Sequence, residues 1–577
     1  MSDRWAAALA AAVAAGAWAS LGVPLWAGAV LVAAALAARR PALLCLGGAL
    51  LASALGARSW AGLVAPEPGP LRGVATVVTD PDDVGGALRV ELRLGGRRYE
   101  AWARDRPAAR LRDRLAGDRV EVAGRVRPLR EGRRAYLHRR HVVAQLTVTA
   151  VGSWSPGQAP ARLANGLRTV LADGASSLPD GTRSLFAGLV LGDDRHQGAE
   201  TVDDFRAAGL THLLAVSGQN VAFVLALAAP LLAWFGLRGR LVAGVVVLIV
   251  FGLVTRWEPS VLRAEAMAAV VLVASTMGRP ASTVRVLSLA VAALLLVDPL
   301  LVGSVGFQLS CGACAGIAVL APRLHRRLPL PVAVTLAAQA GVAPILVPVF
   351  GGLPVASLPA NLLAVPAAGP VVLWGLAAGL PAGLVGGPVA AVAHLPTRVL
   401  VGWIGGVARW AAALPLGELR LGHVAGLAGL AALGALAPRL RMPVVAAALV
   451  VCLVPAVVGA PAAEGGELVG GARLWRAGAA TVLVVERPSA LPLLGALRRA
   501  GVGEVGILVS TGARDGVPAT LAPVLRRHRP AAVVTATTAA VGTTIGVGRL
   551  RVEVTAVRPR LTVAVSRCLQ VCAAVSR

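Results

Sequence analysis

Four groups of polar residues interrupt the apolar runs of this sequence, and their types and spacing set the chemistry to be explained. His212, Ser217, Gln219 and Asn220 close the stretch LGDDRHQGAETVDDFRAAGLTHLLAVSGQNV and open a long apolar run. Arg256, Glu258, Arg263 and Glu265 follow, around Glu258-Pro-Ser-Val-Leu-Arg263-Ala-Glu265. Gln308 and Ser310 come next in Gly306-Phe-Gln308-Leu-Ser310, and Asn361 last, in Phe350-Gly-Gly…Pro359-Ala-Asn361-Leu-Leu-Ala-Val-Pro366. Polar groups at membrane depth are expensive unless they face protein or a wet cavity, so they mark a pathway. Backbone groups freed by Pro259, Pro359 and Pro366 must be satisfied by neighbouring helices or water, which predicts broken helices around a cavity. Arg263 and Glu265 are too close in sequence to face each other along a helix, so each needs a partner elsewhere. Two uses stay open: a hydrated route, or an interfacial ion network of Arg256, Glu258, Arg263 and Glu265 that only orients helices. A hydrolase built from His212, Ser217 and Asp193 or Asp194 lacks the Gly-x-Ser-x-Gly elbow, and the two aspartates more simply cap the following helix.

The elements that must position these residues follow from composition. The chain has 577 residues, 56% of them hydrophobic, and a formal charge of +27. Such a chain reads as a polytopic membrane protein with soluble parts attached. All 56 basic residues are arginine, a preference that mostly reflects GC-rich coding. The net positive charge survives any Arg/Lys exchange and favours polyanions or anionic lipid. Three spans are expected at about 5–20, 23–38 and 41–63, the first retained rather than cleaved. Cys45, Cys311, Cys314 and Cys452 lie in apolar runs and read as packing residues, Cys311-x-x-Cys314 included. Cys568 and Cys572 stay unassigned. Asp298-Pro299 reads as the end of a span.

Residues 71–151 alternate with period two: Leu88, Val90, Leu92 and Leu94 interleave with Arg89, Glu91 and Arg93. Turn signals punctuate five short strands, with a helical piece near 106–116 after the third, the order of an OB barrel. The chain's two tyrosines, Tyr99 and Tyr136, fall here with Trp102, near Arg97, Arg98, Arg104, Arg139 and Arg140. These rings and guanidinium groups are either platforms for unpaired bases or barrel core with a solvated basic surface. Residues 161–210 read as amphipathic helices at the interface. A second apolar block fills about 213–460, with 384–414 as one broken span. Arg39/Arg40, Arg238/Arg240, Arg279/Arg285, Arg323/Arg326/Arg327 and Arg439/Arg441 then all fall on the cytoplasmic side. That count puts the barrel and everything after about 460 outside. Near the C-terminus, Val482–Val485 and Val505–Val509 read as buried strands with helices at 490–500 and 518–528, an α/β arrangement. The expected division is 1–65 (N-terminal spans), 66–155 (barrel), 156–210 (interfacial helices), 211–462 (membrane core) and 463–577 (C-terminal piece).

Taken in order, the four motif groups over roughly 180–370 resemble the core of the ComEC family of competence channel proteins. The resemblance implies passage of one DNA strand across the cytoplasmic membrane while the other is degraded outside. It implies an OB-like external domain, a C-terminal metallo-β-lactamase-like domain, and dependence on a DNA receptor, a separate nuclease and a cytosolic helicase-type motor. The alternative is a transporter of another anionic or lipid substrate with an external docking domain. The family's H-x-D-x-D-H metal motif is degenerate here: its positions fall on Thr511, Ala513, Asp515 and Gly516, with Asp515 alone kept. One carboxylate and no imidazole do not hold two divalent cations. The expectation is therefore no metal, no cofactor and no hydrolytic activity. His528 reads as part of a solvated helix end.

Overall fold

A computed structural model describes residues 2–278, 282–437, 447, 448, 450–452, 466–486, 489–512, 517–557 and 561–567. The expectations for Arg279, Arg439, Arg441, Ala513, Asp515, Gly516, Cys568 and Cys572 lie outside them. The chain forms two compact units. The first comprises 1–196, 212–351 and 361–406, the second 197–211, 352–360 and 407–577.

Unit 1 opens with α1 (Asp3–Ala19), α2 (Leu25–Ala37) and α3 (Pro41–Ala61). Glycine permits their close packing: a Cβ on Gly16 would lie 2.0 Å from the Ala49 carbonyl oxygen. At 1.5 Å per residue, the 13 residues of α2 reach only about 20 Å, short of a bilayer core of about 30 Å. The 21 residues of α3 suffice.

The alternating segment then folds as β1 (Gly69–Val77), β2 (Asp82–Val84), β3 (Ala87–Leu94), β4 (Arg97–Ala103), α4 (Asp105–Arg112), β5 (Arg119–Arg127), α5 (Glu131–His138) and β6 (Val142–Ser155). The sheet order is β1-β5-β6-β4-β3-β2, and β1 also pairs with β3, which closes a barrel. The β4–β6 pairing is parallel; the other barrel pairings are antiparallel. Alternate residues fill the interior: Leu88, Val90, Leu92, Val120, Val122 and Leu146 are each at most 1% exposed. The helix after the third long strand is where the turn signals put it. α5, which the arginine-rich composition of 131–138 concealed, is an addition. Leu63 and Leu300 join the barrel core, so the barrel is seated on the end of α3 and on the turn Pro299–Gly303.

The rest of unit 1 is helical: α6 (Ala159–Gly174) and α7 (Asp180–Leu191) precede the main apolar block. α8 (Ala199–Ala207) belongs to unit 2. The block consists of α9 (Gln219–Leu232), α10 (Leu237–Val254), α11 (Pro259–Thr276), α12 (Thr283–Val297), α13 (Val305–Leu324), α14 (Leu330–Phe350), α15 (Ser357–Val385), α16 (Gly387–Ala393) and α17 (Leu395–Ala413); β7 (Leu353–Pro354), before α15, belongs to unit 2. Among the described residues, six helices are long and apolar enough to cross a membrane, so the chain is a multi-pass membrane protein. The pair α16–α17, bent by 49°, adds a seventh if it counts as one broken span. α13 and α14 meet at glycines: a Cβ on Gly316 would lie 2.2 Å from the Ala337 oxygen. Small residues let backbones approach in this way where no hydrophobic drive exists between helices.

Unit 2 adds β8 (Glu418–Leu419), α18 (Leu421–Leu436), β9 (Gly466–Val469), β10 (Ala472–Ala477), β11 (Ala480–Val485), α19 (Ala490–Arg499), β12 (Ile507–Ser510), α20 (Ala522–His528), β13 (Ala532–Val534), β14 (Thr544–Val547), β15 (Leu550–Ala556) and β16 (Thr562–Arg567). One sheet has the order β13-β12-β11-β10-β9, parallel from β11 to β13. A three-stranded sheet β14-β15-β16 accompanies it. The two buried strands and two helices expected from the apolar runs are present. His528 is not solvated: it is 5% exposed, and its Nδ1 lies 3.0 Å from the Gly503 carbonyl.

Candidate membrane passage and its supports

The turn before α9 gathers the first polar group. His212 sits in the 3-10 turn Thr211–Leu213, and Gln219 and Asn220 open α9. Ser217 donates to Asn220 Oδ1 at 3.1 Å, and Asn220 Nδ2 donates to the Leu189 carbonyl at 2.7 Å. The turn is thereby tied to the end of α7. His212, Ser217, Gln219 and Asn220 line one cavity of about 110 Å³ with Phe223, Leu189 and, from α15, Val365, Ala368 and Val372. That volume holds a few water molecules. Asn361 lies one turn before Val365 on the same helix.

Arg263 stands directly behind this turn. A Cβ on Gly218 would lie 2.5 Å from Arg263 Nη2, so a larger residue there would push the guanidinium aside. Arg263 is 7% exposed; its Nε donates to Ser310 Oγ at 2.7 Å and its Nη1 to the sulfurs of Met267 and Cys314. The structure thus joins Arg263 and Ser310, two residues singled out separately in sequence, across α11 and α13. Glu265 is 6% exposed, and its Oε1 has no hydrogen-bond partner. Gln308 instead supports the turn beside it, donating to the Val302 carbonyl at 2.7 Å.

The expected ion network of Arg256, Glu258, Arg263 and Glu265 is corrected. Arg256 and Glu258 precede α11, whereas Arg263 and Glu265 lie on it, and the arginines take partners outside the set: Arg256 takes Asp80 and Arg263 takes Ser310. Arg256, in the left-handed backbone region at φ 59°, reaches the barrel: Nε and Nη2 donate to Asp80 at 3.1 and 2.8 Å. Burial raises the Glu258 carboxyl, against the pull of Arg140. Asp80 lies between β1 and β2 and also accepts from the Ala116 amide and from Arg168 Nη2. Arg168, on α6 and 5% exposed, is the centre of the arrangement. Its Nη1 donates to the Leu191 and Val254 carbonyls at 2.8 and 2.7 Å, and its Nη2 to Asp80 and Asp193, both at 3.2 Å. It therefore satisfies the last carbonyls of α7 and α10 together, where a cation also favours both helix dipoles. Asp193 takes Arg195 Nε and Nη2 at 2.7 and 2.6 Å. Burial pushes the Asp193 carboxyl up, but the hydrogen bonds and charges of Arg195 and the charge of Arg168 prevail and hold it at about 2. The expectation that Asp193 and Asp194 cap the next helix fails: the residue before α8 is Gly198, with no side-chain cap. A triad with Asp193 is equally unsupported, since two arginines hold its carboxylate. No sequence pattern singled out Asp80 or Arg168; the only signal was an arginine on the apolar side of an amphipathic segment.

On the barrel, the expected base platform divides. Tyr99 is 3% exposed and belongs to the core, so it offers no face to a base; its place on β4 points it inward. Trp102 donates to Glu100 at 3.0 Å, and Arg133 pairs with the same carboxylate at 2.7 Å. Arg140 pairs with Glu91 at 2.7 Å, and Arg98 donates to the Arg140 carbonyl. Glu91 and Glu100 thus neutralise much of this side. Tyr136 is exposed, with Arg140 Cζ 5.8 Å from its ring centre. Arg97 and Arg104 are exposed, and Arg139 packs against Gly303. A second exposed ring, Trp154, carries Arg114 at 4.0 Å. His141 Nε2 meets Asp298 Oδ2 at 3.0 Å, and Asp298 terminates α12 as its sequence suggested. Among the described residues, no cluster of three or more His, Cys, Asp or Glu could hold a metal.

The stretch that lines the cavity matches a known family. Residues 189–459 match the model described as "Competence protein". Over that stretch the chain is similar to competence proteins of the ComEC type. ComE operon protein 3 of Bacillus subtilis (strain 168) is 27% identical over 239 residues, which cover 40% of this chain and 30% of that protein. No solved structure matches.

Proposed function

We propose that this chain is a passage for single-stranded DNA across the cytoplasmic membrane during natural transformation, seen here closed. One observation carries the reading: the polar residues of the first motif, spaced over nine positions, converge on one cavity within the competence domain, with the Arg263–Ser310 pair behind it. A polyanion crossing lipid needs a wet route walled by polar and cationic groups. A cavity of about 110 Å³ does not admit a nucleotide, so passage requires α9 and α15 to part.

The barrel's order supports an OB-like fold: with β2 taken as a hairpin extension of β3, the five long strands close as 1-2-3-5-4-1. Its exposed Tyr136, with Arg97 and Arg104, would meet incoming strands. Two ion pairs support an outer location. Asp3 pairs with Arg285 at the start of α12, while the barrel's His141 meets Asp298 at the opposite end of the same helix. With the arginine clusters inside, the barrel faces out; we extend this to the C-terminal piece from the even count of spans. That piece is read as a β-lactamase-like remnant without hydrolytic function, so the chain is not an enzyme. A receptor, a nuclease and a cytosolic motor would be separate proteins.

Deleting the gene in a competent strain and following labelled DNA tests the reading. Uptake into the cytosol should stop, and return with the wild-type chain but not with Arg263→Gln, provided both reach the membrane in equal amounts. Unchanged uptake after deletion would refute it.

A further inference from the structure

The segments that lead in sequence to two walls of the cavity lie in unit 2. The turn carrying His212 continues from residues 197–211, and α15, carrying Val365, Ala368 and Val372, starts within 352–360. Inside unit 2 these two lead-in segments are fastened to each other. Gly209, at φ 66°, lies so close to Ser357 that a Cβ on it would be 2.4 Å from Ser357 Cβ. β7 pairs with β8 through Leu353–Leu419 and Pro354–Glu418, and the Val355 amide donates to the Gly417 carbonyl.

The C-terminal α/β piece then grips both. Arg498, on α19, places Nε 3.6 Å from Asp203 Oδ2 on α8 and Nη1 3.6 Å from Glu418 Oε1 on β8. Asp203 is 3% exposed, so removing the arginine strands a buried carboxylate. Arg527 adds a bond to Asp204 at 2.6 Å, and Arg526 one to Glu200 at 2.8 Å.

We propose that Arg498 is a positioning residue: by bridging Asp203 and Glu418 it holds in one register the two segments that lead into the His212 turn and into α15. This deepens the passage reading, on which its importance for transport rests. Loosening the bridge frees the His212 turn on one side and the start of α15 on the other. The domain's role is then mechanical.

Amide exchange on the full-length chain in lipid nanodiscs tests it without DNA. Arg498→Gln should speed exchange at least tenfold in both 210–220 and 357–366. Asp203→Asn should act mainly on the first stretch and Glu418→Gln mainly on the second, while Arg498→Lys keeps most of the protection. A simple loss of stability would accelerate all three variants alike across the chain. That outcome, or unchanged exchange in either stretch of Arg498→Gln, overturns the proposal. If the split pattern appears in a chain that imports no DNA, the passage reading falls and the bridge stands.

Discussion

Replacing Arg168 by alanine strikes the point where four segments meet. The guanidinium satisfies two helix-terminal carbonyls and touches two carboxylates, with 5% of the residue exposed. Breaking a buried ion pair by removing one partner costs about 3–5 kcal/mol. Asp80 keeps Arg256 and Asp193 keeps Arg195, which places the loss near the lower end. The carbonyls of Leu191 and Val254 lose their charged donor with no substitute among the described side chains, so about 3 kcal/mol is the expected cost of local opening. At about 1.4 kcal/mol per decade this is roughly a hundredfold rise in exchange. The rise should be confined to amides near 80–84, 191–198 and 254–258, measured in nanodiscs, with the helix α13 unchanged. A double-mutant cycle with Asp80→Asn should give a coupling above about 1 kcal/mol. Exchange within threefold of wild type at all three segments would refute the assignment of Arg168 as the tie between barrel and membrane core.

Other outcomes follow from the same geometry. Asp193 ionises at about 2 in the folded chain, below its ordinary value, so its contribution is present above about pH 4 and lost as pH falls through about 2; exchange at 191–198 should rise in that window, and Asp193→Asn should flatten the response. Gly316→Leu should separate α13 from α14 and lower the melting temperature of the purified protein, whereas Gly306→Ala, where a Cβ meets nothing, should not. Tyr136→Ala should weaken single-strand binding by about 1–3 kcal/mol, read by fluorescence anisotropy at fixed salt, while Trp102→Phe should have little effect. Metal analysis of the full-length protein should find no stoichiometric zinc.

Much of this molecule was determined by pattern alone. Period-two alternation fixed the barrel's strands, because one face of each had to be apolar for the barrel to close, and long apolar runs fixed the helices. The order of polar motifs pointed to the competence-protein resemblance and to the stretch that lines the cavity. Pairing was another matter. Sequence spacing said only that Arg263 and Glu265 needed partners on other helices; the fold gave Ser310 to one and none to Glu265 Oε1. Nothing local distinguished Tyr99, facing the core, from Tyr136, exposed on a helix that arginines had disguised. Arg168, Asp80 and the Arg498 bridge join residues 23 to 295 positions apart. Such contacts leave no periodic trace, because their energy depends on burial and distance, which exist only once the chain has folded.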